Sequence, residues 1–94
     1  MERRTAERKT FALSVECELG AVTGEFGNRT LSAQAQDICA DGIRILTDCP
    51  LSKGAVLRVN FPIKGLRALL PVFAEVAWTL PANDRFRAGL RFLR

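Results

Sequence analysis

The strongest constraint on this chain is a period-two alternation of apolar and polar residues that recurs six times. Such alternation is the pattern of a strand with one buried face. Its clearest instance sets Phe11, Leu13, Val15, Cys17 and Leu19 on one face and Ser14, Glu16 and Glu18 on the other. Gly20, Gly24, Gly27 and Asn28 mark a loose connection, after which Leu31, Ala33 and Ala35 alternate with Ser32, Gln34 and Gln36. Gly42-Ile43-Arg44-Ile45 resumes the pattern, and Leu57, Val59 and Phe61 carry it through a fourth strand. A long fifth strand is expected over Leu66 to Trp78, with Pro71 marking an edge or bulge because proline lacks the ladder donor. Phe86, Ala88, Leu90 and Phe92 then alternate with Arg85, Arg87, Gly89 and Arg91 in a sixth.

Between these runs stand turn-forming clusters, Asp37 to Gly42, Asp48-Cys49-Pro50, Ser52-Lys53-Gly54, Pro62 to Gly65 and Pro81 to Asp84. No helical periodicity interrupts them. Six strands in 94 residues have exposed edges unless they close, so the expected fold is all-β, a six-stranded antiparallel β-barrel. A single domain over 1–94 follows, with an N-terminal arm over 1–10 and the barrel over 11–94. The parity of Trp78, Phe86 and Phe92 places them in the core.

Charge is concentrated at the ends. The net +4 divides into +2 for residues 1–10, −2 for 11–84 and +4 for 85–94. Eleven of the 14 basic residues are arginine, whose planar fork suits phosphate and guanine. An anionic partner is expected. There is no histidine, which removes the usual general base and the commonest metal ligand, and no nucleophile has an evident base. The chain is therefore expected not to be an enzyme and to have no catalytic residue, cofactor or metal site. Cys17, Cys39 and Cys49 are an odd set without C-x-x-C spacing and read as reduced thiols. No apolar run approaches the roughly 20 residues needed to cross a bilayer, and Met1 is followed by charge rather than by a signal-peptide core. A cytoplasmic protein without membrane insertion is expected. The aromatics lie on inward parity, which argues against binding a nucleic-acid polymer.

Two polar stretches stand outside the strand pattern. Arg3-Arg4-Thr5-Ala6-Glu7-Arg8 precedes strand one, and Arg4 and Arg8 would repel on a helix, which leaves a flexible arginine arm. Asp37-Ile38-Cys39-Ala40-Asp41-Gly42 reads as an Asx-type turn with a left-handed Gly42. In this order and barrel context the chain resembles the PilZ domain family. That family's R-x-x-x-R motif is met by Arg4 and Arg8, with Arg3 as a frequent extra arginine. Its D/N-x-S-x-x-G motif is met by Asp37 and Gly42, with Cys39 in the serine position. Gly42 to Ile45, the Leu51 to Gly54 turn, Val76-Ala77-Trp78 and Arg87 to Phe92 are similar as well, so the likeness extends over residues 3–92.

The resemblance implies a bacterial receptor for cyclic di-GMP, a second messenger; many family members carry a C-terminal helix, and little or none is expected here because Arg94 follows directly on strand six. It assigns the ligand to Arg3, Arg4, Arg8, Asp37, Cys39 and Gly42. Arginine forks would take guanine O6 and N7 or the phosphates, and the Asp37 carboxylate would accept guanine N1–H and N2–H. The arm would close over the nucleotide and signal to a partner protein. Cys39 supports the alternative, a PilZ-like interaction module that does not bind cyclic di-GMP.

Overall fold

The computed structural model describes residues 9–20 and 26–93. Six strands follow in order, β1 (Lys9–Gly20), β2 (Phe26–Ile38), β3 (Gly42–Thr47), β4 (Val56–Pro62), β5 (Leu69–Ala82) and β6 (Arg85–Phe92). All pairings are antiparallel, and the order β1-β2-β3-β6-β5-β4 closes into a barrel. The all-β, six-stranded expectation holds, and among the described residues there is no helix. Closure rests on the short β1–β4 pairing, Glu16↔Asn60 to Leu19↔Leu57.

Inward parity produces the core. Val15 and Cys17 of β1, Ala33 and Ala35 of β2, Ile43 and Ile45 of β3, Leu57 and Val59 of β4, Ala74 and Val76 of β5, and Ala88 and Leu90 of β6 are all buried. Six strands enclose little volume, and the four alanines among these residues let the branched side chains interdigitate. Leu51, in the connection between β3 and β4, joins this core. Buried Thr47 is satisfied locally, its Oγ1 donating to the Cys49 carbonyl at 2.7 Å. The loop before β4 is tied to β5 by Gly54 N–H to Val76 O at 2.8 Å and Val76 N–H to Ala55 O at 2.8 Å. A positive φ of 91° at Gly54 makes that approach possible.

The fifth strand departs from the expected span. It begins at Leu69 rather than Leu66, because residues 63–68 form the hairpin connection. There Leu66 N–H donates to Ile63 O at 3.0 Å, and Gly65 adopts φ 83°. Pro71 pairs with Asn60 of β4, while β6 reaches β5 only from Ala74 onward. Pro71 therefore lies past the end of β6 with a single strand neighbour, where a missing donor is tolerated.

Candidate ligand-binding site

One end of the barrel brings five strands to a shared outer face. Thr10 of β1 pairs with Asp37 of β2, Asp37 with Arg44 of β3, Arg44 with Gly89 of β6, and Gly89 with Trp78 of β5. Residues paired across antiparallel strands share a face, so Asp37, Arg44, Gly89 and Trp78 form one row across the wall. The next row holds Gly42, Arg91 and Glu75. A pocket of about 410 Å³ opens over both rows, and Cys39, Asp41 and Ala77 also contribute to its lining. Its size lies within the usual range for small-ligand sites.

Two bulges build this row. Counted in twos from Ala33 and Ala35, Asp37 would point into the barrel. A register shift between Ala35 and Asp37 leaves Gln36 as the extra residue and turns Asp37 to the face of Arg44. Likewise, Trp78 would follow Val76 inward, but the shift between Val76 and Trp78 makes Ala77 the extra residue and sets Trp78 outside. The expected core position of Trp78 is thereby corrected: the indole is 36% exposed and lines the pocket. Phe86 and Phe92 are half-buried, and Phe92 packs against the core from its margin.

Glycines leave room for these groups. A Cβ on Gly89 would stand 2.3 Å from Cε2 and Nε1 of Trp78, so the indole lies directly on the bare backbone of β6. A Cβ on Gly42 would meet the Leu90 carbonyl oxygen at 2.1 Å. The expected left-handed Gly42 is corrected: positive φ among the described glycines occurs at Gly54 and Gly65, and Gly42 is required by the closeness of β6.

Asp37 is only 5% exposed. Its Oδ2 accepts from Arg44 Nε at 2.9 Å and from Arg44 Nη2 as well. This hydrogen bond raises the Arg44 pKa above the ordinary arginine value. An oriented carboxylate thus sits beside a half-exposed guanidinium. Arg91, at the far side, pairs with Glu75. Cys39 is exposed, and its backbone N–H donates to Gly42 O at 2.9 Å to close the β2–β3 turn. Phe92 N–H donates to Asp41 O at 2.8 Å and fastens that turn to β6.

Of the sequence-predicted ligand residues, Asp37, Cys39 and Gly42 come together at this pocket. Arg3, Arg4 and Arg8 lie outside the described residues, which begin at Lys9 opposite Ile38. Sequence reasoning missed Arg44, Trp78, Gly89 and Arg91 as lining residues. One signal was present in the sequence: an inward parity already rich in alanine leaves little room for an indole. Among the described residues no cluster of three His, Cys, Asp or Glu side chains is placed to hold a metal ion. No helix among them is long and apolar enough to cross a membrane.

The arrangement offers a flat indole, two guanidinium groups and a buried carboxylate around one pocket. It is suited to hold a planar, hydrogen-bonding anion. The PilZ domain family model matches residues 2–94. The fold is similar to that of YcgR from Escherichia coli in complex with c-di-GMP, at TM-score 0.64 and 20% identity, covering 99% of this chain and 39% of that one. It is also similar to the PilZ domain of Escherichia coli YcgR with c-di-GMP, at TM-score 0.64 and 17% identity, over 99% of this chain and 79% of that one. MrkH of K. pneumonia in its apo state is similar at TM-score 0.63 and 16% identity, over 99% and 45%. The chain thus spans less than half the length of the first YcgR chain and of the MrkH chain. No curated protein sequence matches it.

Proposed function

The chain belongs to the PilZ domain family, and on that premise we propose that it is a cyclic di-GMP receptor domain, cytoplasmic and bacterial, that signals without catalysing a reaction. The observation that carries this reading is the buried Asp37 carboxylate at a pocket shared with Cys39, Gly42, Arg44 and Trp78. The β1–β2 register adds support, since Arg8 immediately precedes Lys9, whose backbone pairs with Ile38.

In this reading Asp37 accepts guanine N1–H and N2–H, while the forks of Arg4 and Arg8, with Arg3 assisting, take O6 and N7 or the phosphates. Trp78 supplies a ring face against a base. Gly89 lets the indole lie close on β6, and Gly42 lets β3 and β6 approach beneath it. The arm ahead of β1, residues 1–8, closes on the ligand and presents a new surface to a partner protein, so that ligand concentration becomes a change in population.

Calorimetric titration with cyclic di-GMP, with GTP as control, tests the proposal. Saturation by cyclic di-GMP alone is expected, lost in the double variant Arg4→Ala/Arg8→Ala while thermal melting is retained. Normal binding by that variant would refute the site assignment. A second reading, an interaction module that does not bind the nucleotide, is favoured by Cys39 in the serine position and by the engagement of Asp37 with Arg44. Absence of heat and of any melting shift with ligand would select it.

A further inference from the structure

The tip of the β4–β5 hairpin extends past the paired part of the barrel wall, with Phe61 still against the core and Pro62 and Leu69 beside Ser14 and Glu16 of β1. Pairing of β4 with β1 ends at Asn60, and pairing of β5 with β6 begins at Ala74. Between these points the hairpin pairs with itself, Phe61↔Leu70 and Pro62↔Leu69. From Asn60 to the turn at Ile63 the chain advances about 10 Å at a strand's rise per residue.

This projection carries leucines where a solvated turn would carry polar residues. Leu66 is 64% exposed, Leu69 54% and Leu70 53%. Three exposed leucines within five residues, on both faces of one hairpin tip, make that tip apolar all round, as suits a contact site. Its charge is one-sided. No aspartate or glutamate occurs over residues 49–74, whereas Lys64 and Arg67 flank Leu66 within the turn. Both are exposed, and neither is paired with a carboxylate among the described residues. Arg58, farther back, is neutralised by Glu18, and Glu16 faces Asn60 where the hairpin departs.

We propose that the tip of this hairpin docks on the surface of a phospholipid bilayer containing anionic lipid. Leu66, Leu69 and Leu70 enter the headgroup boundary while Lys64 and Arg67 meet lipid phosphates. The reach of the tip matches the roughly 5–10 Å depth at which apolar faces settle in that boundary. Basic side chains beside such a face add electrostatic attraction that salt screens. A second copy is the less favoured occupant, since it would set Lys64 and Arg67 against their own kind. This inference does not rest on nucleotide binding. Docking at the interface is compatible with a chain that has no spanning segment among its described residues.

The test is co-sedimentation of the full chain with vesicles of phosphatidylcholine containing one quarter phosphatidylglycerol, and with phosphatidylcholine alone. Binding to the anionic vesicles only, weakened by added salt, is expected. Leu66→Ser/Leu70→Ser, which keeps every charge, is expected to weaken it at least tenfold. Lys64→Gln/Arg67→Gln is expected to cost about fivefold per charge removed. These residues are exposed, so melting temperature serves as the folding control for both variants. Equal binding to neutral vesicles, no binding to either, or anionic binding untouched by the leucine variant would each overturn the proposal. The last result would assign the attraction to the terminal arginines. A dimer in light scattering that the leucine variant dissociates, without vesicle binding, would assign the tip to a second copy and overturn it as well.

Discussion

Replacing Gly89 by alanine tests whether the indole of Trp78 owes its place to the bare backbone beneath it. The added Cβ would fall 2.3 Å from Cε2 and Nε1 and 2.7 Å from Cζ2 of Trp78. A contact of about 3.5–4 Å is the favourable distance between carbons, so the ring must withdraw by more than an ångström or swing off the wall. With 36% of the residue exposed, an indole able to bury up to about 250 Å² has about 160 Å² covered here. Full release would cost about 4 kcal/mol at about 25 cal/mol per Å². Partial withdrawal sets the expected loss nearer 1–2 kcal/mol, after the alanine regains about 0.5–1 kcal/mol of strand preference over glycine. For a domain of this size that is a fall of roughly 4–16 °C in melting temperature. Because Trp78 is the only tryptophan, its emission reports the displacement directly. A red shift in Gly89→Ala together with the lower melting point is expected. An unchanged emission maximum with melting within about 1 °C of the parent would refute the packing argument.

Three other outcomes follow from the same structure. Cys39→Ser restores a hydroxyl at the turn and is expected to tighten cyclic di-GMP binding by up to about tenfold, the equivalent of one polar contact of about 0.5–1.5 kcal/mol, measured by calorimetry. Burial pushes the Cys17 thiol up to about 12, so thiol titration of the folded protein at pH 8 should label exposed Cys39 and leave Cys17 unreactive until denaturant is added. Hydrogen bonds from Arg58 and from Asn60 hold the Glu18 pKa below its usual 4.5. Its depressed value means the stabilisation is present above about 4.5 and is lost as pH falls through the lowered pKa. Arg58→Met should accordingly flatten the acid limb of stability below pH 4.5 in urea titrations. An unaltered limb would dissociate that limb from Glu18.

Much of the architecture was legible because each strand announces its own buried face. Val15, Cys17, Ile43, Ile45, Leu57, Val59, Ala74 and Val76 are in the core, where their parity puts them, and the turn at Asn83, with its φ of 61°, falls within the Pro81 to Asp84 cluster. Asp37, Cys39 and Gly42 were legible as a polar cluster read as a turn, although Asp37 lies in β2 and Gly42 begins β3. Their company was not. Arg44 and Arg91 carry the ordinary appearance of a solvated strand face, and only the neighbouring strands show that they border a pocket.

The sequence by itself determined the six strands, their faces and the second motif at a turn, since alternation and turn chemistry are local properties of the chain. Tertiary structure alone decided that β3 lies beside β6, that β4 closes on β1, and that Gln36 and Ala77 are extra residues in their ladders. The physical reason is that a bulge is defined by a count against the partner strand, and no single strand records its partner's register. A one-residue slip exchanges the two faces of everything beyond it. Two such slips bring Asp37 and Trp78, both on inward parity by sequence, to the same outer wall.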